Sequence, residues 1–407
     1  MKHFLRRKLH SRLFLGVLAV LLAIILLAAA LAVQQLFFNS DSKPDVLVGV
    51  DVGYGDANTV YTIANAVSGY ANLIVIGSTE VTANTTALTN VCDYLYQRGF
   101  YFIVYVALGK GTFFPPQGPT STFFQMANSR WGARFLGMYL FDEVGGKQLD
   151  FPPNYPDRPA RVASNFSNVA IQYFVGVQPY LSLYRDFYYS VPQMKLYTSD
   201  YALYWYDYSS GYDVVFAEFL GDKIQNQIAV SLVRGAAKTL DKDWGAILTF
   251  GPSGGIEFHP PAFENISLYD EMLQAWQNNA RYIIIFDAPG LNHTATTPYG
   301  VLTTDHLSEM KSFWNYAHTH QRSEFDPAQT AYVLPADYGY GFRGSNDTIW
   351  GLWPADAASP KIWNDTNSLM TTYGMNMDIV YETKTDDVPI NLPYKTLIYW
   401  NGTTVQT

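Results

Sequence analysis

Carboxylates recur in this chain at one kind of place, the end of a short apolar run. The runs VLVGVD, NLIVIGSTE, FLGMYLFDE, KLYTSD, DVVFAE and YIIIFD close on Asp51, Glu80, Asp142-Glu143, Asp200, Glu218 and Asp287. Two further runs, YFIVYVALGK and GAILTFG, close on Lys110 and Gly251. Gathering like charges costs electrostatic energy and does nothing for packing. It suits proton transfer to and from a neutral, hydroxyl-rich substrate, and sugars are the first such class. Glu143 and Asp142 are the leading catalytic candidates, on the expectation that strand alternation turns one of the two toward the site. Gly145-Gly146 behind them lets the chain turn sharply and is expected to leave room for substrate. Glu218 is the expected partner. It interrupts the apolar run VVFAEFLGD, where burial raises a carboxyl pKa and fits it to donate a proton; the competing reading is a salt bridge to Arg234. Asp51, Glu80, Asp200 and Asp287 are read as acceptors for substrate hydroxyls. Tyr54, Tyr139, Tyr201 and Trp205, with Trp350 and Trp353, are the aromatics expected near the rim, where their faces stack on sugar rings.

The elements that must position these residues repeat eight times between Asp45 and Gln321, each a strand-type run followed by an amphipathic segment. Parallel strands need crossover helices, and eight such units predict a closed (β/α)8 barrel over 45–321, with its site at the C-terminal strand ends. Asp56 is the expected N-cap of the first crossover helix, and Thr85 to Arg98 the second. The third and fourth connections are long, and GKGTFFPPQGP and GGKQLDFPPNYPDRP read as loops over the mouth. Residues 322–407 break the pattern. They predict a small α/β module with three buried-type strands and a helix near 359–373.

At the level of YLFDE and VVFAE on such a scaffold, the chain resembles the glycoside-hydrolase-type (β/α)8 barrels. Several clans of these place catalytic acids on strand four, partnered from strand six or seven. The resemblance implies hydrolysis of glycosidic bonds by two carboxyls, with Glu143 and Glu218 as the pair. Strand seven runs into Phe250-Gly251-Pro252-Ser253 without an acid, and Glu143 follows Asp rather than Asn, so the Asn-Glu/Glu pattern of the largest clan is not matched. A second resemblance, of VGVDVGYGD (48–56) to the first phosphate loop of actin-like ATPases, covers under ten residues, with no matching second loop. His259, His293, His306, His318 and His320 lack metal-ligand spacing, and neither a metal nor another cofactor is expected.

Residues 13–33 hold no charge and no proline, and as a helix span about 31 Å, the thickness of a bilayer core. Lys2, Arg6, Arg7, Lys8 and Arg12 precede them. The expected order is a cytoplasmic head at 1–12, a signal anchor in the lipid bilayer at 13–38, a tether at 39–44 and an extracytoplasmic barrel. The alternative is a signal peptide cleaved near Ala30-Leu31-Ala32. Sequons at Asn84, Asn165, Asn265, Asn292, Asn346, Asn364 and Asn401 fit an exported glycoprotein. Without the five head cations, 21 Lys/Arg face 35 Asp/Glu, a surface unsuited to nucleic acid. The lone Cys92 forms no internal disulfide and reads as a small buried hydrophobe. The sequence thus points to a membrane-anchored extracellular glycoside hydrolase. A non-catalytic glycan-binding or cell-envelope barrel is the alternative, and a metal-dependent deacetylase or phosphodiesterase a distant third. Oligomeric state is not legible.

Overall fold

The computed structural model describes residues 44–407, apart from 107–118, 120, 156–157, 187–190, 192–193, 220–222, 250–266, 290–301, 323–327 and 383–391. Val46–Thr407 is one compact unit, and of the residues before it 44 and 45 are described. The span expected at 13–38 therefore lies outside the described residues. Among those described, no helix is long and apolar enough to cross a membrane.

Eight parallel strands close into a barrel in sequence order: β1 (Leu47–Val52), β2 (Leu73–Ile76), β3 (Tyr101–Val106), β4 (Phe135–Leu140), β5 (Lys195–Asp200), β6 (Val214–Phe219), β7 (Asp243–Leu248) and β8 (Tyr282–Asp287). β8 returns to β1 over six paired positions, from Leu47–Tyr282 to Val52–Asp287. The stretch 48–56 is thus a barrel strand and its turn, not a phosphate-binding hairpin. Between the strands run α1 (Ala57–Val67), α2 (Thr85–Gln97), α3 (Ser121–Trp131), α4 (Val144–Asp150), α5 (Phe166–Arg185), α6 (Tyr204–Ser210), α7 (Lys223–Thr239), α8 (Leu268–Gln277) and α9 (Thr304–Thr319). Asp56 caps α1 by accepting from the Thr59 amide at 2.9 Å, and Asn84 caps α2.

Alternation splits the strand side chains into two cores. Val48, Val50 and Val52 of β1 pack outward against the helices, with Cys92 of α2 buried among them. Leu47, Val75, Ile103, Tyr197, Phe216 and Ile284 fill the barrel itself. β4 breaks the alternation. Its pairing with β3 shifts between Phe102 and Ile103, and Gly137 takes φ 142° where a Cβ would collide with the Lys195 backbone. This bulge puts both Leu136 and Tyr139, three residues apart, into the interior, and aims Tyr139 at the mouth.

The chain after α9 forms a second sheet in the order β10 (Met377–Tyr381), β9 (Thr330–Leu334), β11 (Thr396–Tyr399), β12 (Thr404–Gln406), with α10 (Ser359–Tyr373) between β9 and β10. The antiparallel strand β12 was not legible in the sequence. The sheet packs on α7, where Gly235 lets the Ile379 carbonyl come close and Arg234 pairs with Asp378 at 2.7 Å. Arg234 also donates to Asn278 at 2.6 Å and to the Met375 carbonyl. The arginine that the competing reading pairs with Glu218 is instead spent on holding this sheet.

Candidate active site

β4 stops at Leu140, so strand alternation does not govern the next three residues. Phe141 and Glu143 both take left-handed backbone, at φ 56° and 55°. Bulky and charged side chains rarely adopt that conformation, and here the neighbouring strand holds it: the Glu143 amide donates to the Ser199 carbonyl at 3.0 Å. The turn brings both carboxyls to one mouth rather than to opposite sides. Tyr139 Oη donates to Asp142 Oδ1 at 2.5 Å, and Lys147 Nζ lies 4.0 Å from both Asp142 Oδ2 and Glu143 Oε2.

Across β5, the inward position of β6 holds Glu218, 9% exposed. Its Oε1 lies 2.8 Å from Ser199 Oγ, which also lies 3.1 Å from Asp142 Oδ1. Two contacts meeting at one oxygen cap the Asp142 Oδ1–Glu218 Oε1 separation at about 5.9 Å. Burial raises the Glu218 pKa well above the usual carboxylate range, and the neighbouring Glu143 and Asp142 charges add to this. Glu143 is pushed up to about 8, chiefly by burial and then by Asp142, with Lys147 opposing. Asp51 completes the group from β1. It is buried with Oδ1 unpartnered against Gly77, and burial followed by the Asp142 and Asp287 charges raises its pKa. Tyr54, Tyr105 and Tyr139 line the same space. Each hydroxyl is held protonated by burial, with Asp142 the largest charge acting on it.

The other expected site residues lie elsewhere. Asp200 follows inward-facing Ser199, so it points outward. It accepts the backbone amides of Gly145, Gly146 (2.8 Å), Tyr201 (2.8 Å) and Ala202 (3.2 Å), and so ties the start of α4 to the end of β5. A Cβ on Gly145 would meet the Ala202 carbonyl and one on Gly146 the Tyr201 ring, so the space expected for substrate is filled by β5's own turn. The Tyr201 hydroxyl donates to Asp150 at 2.7 Å. Asp287 also faces outward and accepts the Leu302 amide at 3.1 Å. Glu80 is exposed on a short helical turn, Thr79–Thr82, beyond the end of β2. Trp205 packs on Tyr381, and Trp350 is buried against Tyr173 and Tyr206. Trp353 packs on Phe166.

Sequence reasoning missed three residues. Ser199 was hidden between Thr198 and Asp200, although its parity with Tyr197 marks it as inward. Lys147 carried no signal beyond its place four residues after Glu143. Asp207 of α6 is fully buried, with Oδ1 accepting from Tyr173 at 2.6 Å and its pKa raised by burial and by Asp200. Its other oxygen is orphaned unless it carries a proton and donates to Asp200.

The sequence matches no protein-family model and no curated protein. Solved structures match the fold. A β-galactosidase from the haloarchaeon Halorubrum lacusprofundi superposes with a TM-score of 0.56 at 11% identity, over 87% of this chain and 69% of that one. A GH5_18 protein from Streptomyces cattleya, solved as a point variant in complex with Manb1-4GlcNAc, gives 0.55 at 11% identity, over 88% of this chain and 99% of that one. The fold is that of the glycoside-hydrolase barrels. At such identity the likeness carries the architecture, and the chemistry has to be argued from the site. Both matches extend beyond the barrel's share of the chain.

Proposed function

We propose that this chain cleaves glycosidic bonds at the barrel mouth, with Asp142 as the attacking carboxylate and Glu218 as the acid and later the base. The observation that carries this is the pair's spacing. Retaining glycosidases hold their two carboxyls about 5–5.5 Å apart and inverting ones about 6.5–9.5 Å. The cap of about 5.9 Å set by Ser199 lies below the inverting range and next to the retaining one, which favours retention. The environments divide the roles. Asp142 has a 40% exposed side chain, within reach of a substrate, and accepts a short hydrogen bond from Tyr139. Glu218 sits deep in the barrel, where burial keeps it protonated until a leaving oxygen needs its proton. Glu143, 26% exposed at its side chain and less open than Asp142, serves as a substrate-facing acid beside the pair. Asp51 supports the cluster from below.

The substrate is a neutral glycan, because an acid-rich mouth repels uronates and sulfated sugars. The cellular setting proposed with this is external. Residues 13–38 anchor the chain, and the barrel faces out. The sequon asparagines Asn84, Asn165, Asn346, Asn364 and Asn401 are all exposed, as acceptors of N-glycans must be, while Asn265 and Asn292 lie outside the described residues. The second reading is a glycan-binding barrel without turnover. Lys147, 4.0 Å from two of the acids, is the feature that favours it.

A panel of aryl glycosides and neutral oligosaccharides, incubated with the full-length chain, decides between the two. Hydrolysis abolished in both Asp142→Asn and Glu218→Gln supports the enzyme. Glycan binding without turnover, unchanged in both variants, supports the binding module.

A further inference from the structure

Three contacts of 2.8 Å or less run from Asp142 to Glu218 end to end, beside a longer one of 3.1 Å directly between Ser199 Oγ and Asp142 Oδ1. Tyr139 Oη lies 2.5 Å from Asp142 Oδ1, Ser199 Oγ lies 2.7 Å from Tyr139 Oη, and Glu218 Oε1 lies 2.8 Å from Ser199 Oγ. Oxygens this close need a proton between each pair. The two hydroxyls bring two protons to three contacts, so the third sits on a carboxyl at one end. Surroundings decide which end. Glu218 is enclosed in the barrel, whereas the Asp142 side chain reaches solvent and has Lys147 4.0 Å away. The charge therefore rests on Asp142 and the proton on Glu218.

We propose that Ser199 and Tyr139 form a reversible hydrogen-bond chain whose hydroxyls donate toward whichever of Asp142 and Glu218 carries the negative charge, so that one device serves both halves of the reaction. This rests on the retaining pair assigned above. At rest Glu218 donates to Ser199, Ser199 to Tyr139 and Tyr139 to Asp142. In the first step an Asp142 oxygen bonds to the anomeric carbon, the glycosidic carbon–oxygen bond breaks, and the Glu218 proton passes to the departing oxygen. The charge has then moved from Asp142 to Glu218. Both hydroxyls rotate, Tyr139 now donating to Ser199 and Ser199 to Glu218, and neither loses its proton. In the second step water gives a proton to Glu218 and its oxygen to the anomeric carbon, the bond to Asp142 breaks, and the hydroxyls turn back. Ser199 and Tyr139 are positioning residues here, acting through the two carboxyls. Asp51 and Tyr54 from β1 and its turn, and Tyr105 from β3, face the Asp142 end. Glu143 with Lys147 on the β4 side, and Asp200 and Tyr204 beyond β5, face the Glu218 end and set the background against which pH is varied.

The test uses the full-length chain. Ser199→Ala removes a donor to ionised Glu218, so the descending limb of kcat/KM against pH moves up by about one unit. Tyr139→Phe removes the donor to ionised Asp142, so the ascending limb moves up by about the same amount. Ser199→Thr keeps the hydroxyl and returns the descending limb to its place. A purely structural role lowers the rate and leaves both limbs where they were, which overturns the chain. The infrared difference between wild type and Glu218→Gln at neutral pH needs no substrate. A protonated-carboxyl band supports the resting state, and an ionised carboxylate alone overturns it. If Ser199→Ala does not fold, Tyr139→Phe and the infrared band decide. A wild type that cleaves no glycoside sinks the hydrolase reading instead, with the infrared band still judging the proton.

Discussion

In the proposed reaction Glu218 and Asp142 divide the chemistry because one is enclosed and the other wet. Glu218→Gln and Asp142→Asn should each lower kcat by about 10²–10⁴-fold while the chain still folds, checked by steady-state kinetics beside circular dichroism. Glu143 carries a separate signature in stability. Its folded-state pKa of about 8 lies above the ordinary value, so the folded chain holds this proton more tightly than the unfolded one. Between the usual carboxylate pKa of about 4 and about 8, this group's contribution to stability falls as pH rises. Glu143→Gln has no charge to bury. It should raise the melting temperature at pH 8, give little change near pH 4, and so flatten the profile; equal shifts at both pH values would contradict the assignment. The candidate acids were legible at strand ends, but Asp200 and Asp287 show that an acid in that place can equally serve the backbone. Ser199 was not, since a serine in a strand is ordinary until its parity and its neighbours are known. The sequence pairs Glu143 with Glu218; in the structure Ser199 links Glu218 to Asp142, while the Glu143 charge also acts on Glu218.

At the scale of elements, the end of β5 decides where the end of β4 goes. Asp200 accepts four backbone amides across the two turns, and Gly145 allows the approach that makes this possible. Gly145→Ala forces a Cβ to 2.5 Å from the Ala202 carbonyl, a backbone atom that cannot swing aside. The expected cost is about 1–3 kcal/mol in urea unfolding, together with a fall in kcat as the Glu143 turn shifts. Unchanged stability would show that the two turns are not packed as described. The strands, most helix limits and the Asp56 cap could be read from periodicity and capping chemistry, which are local. The β4 bulge could not, because it is set by pairing with β3, and it reverses the parity on which Tyr139 depends. Asp200 and Asp287 misled for the same reason: both end strands, but one residue out of phase with the interior.

For the molecule as a whole, the sheet after the barrel is bound into it rather than appended. Arg234 and Asp378 form a buried pair at 2.7 Å, with Tyr394 donating to Asp378 at 2.9 Å. Arg234→Ala leaves Asp378 buried without its cation and should cost about 3–5 kcal/mol. Barrel and sheet should still melt in one transition, and two separate calorimetric transitions in the wild type would contradict the single unit. The proposed topology is checked by protease on intact cells, which should release the portion after residue 39; protection would refute the external setting. The central claim is tested most directly by trapping the glycosyl-enzyme. An activated 2-deoxy-2-fluoro glycoside of whichever sugar the panel identifies should inactivate the full-length chain, one sugar per molecule, with the label on the peptide containing Asp142. Turnover without any covalent label, or a label on Glu218, would contradict the account.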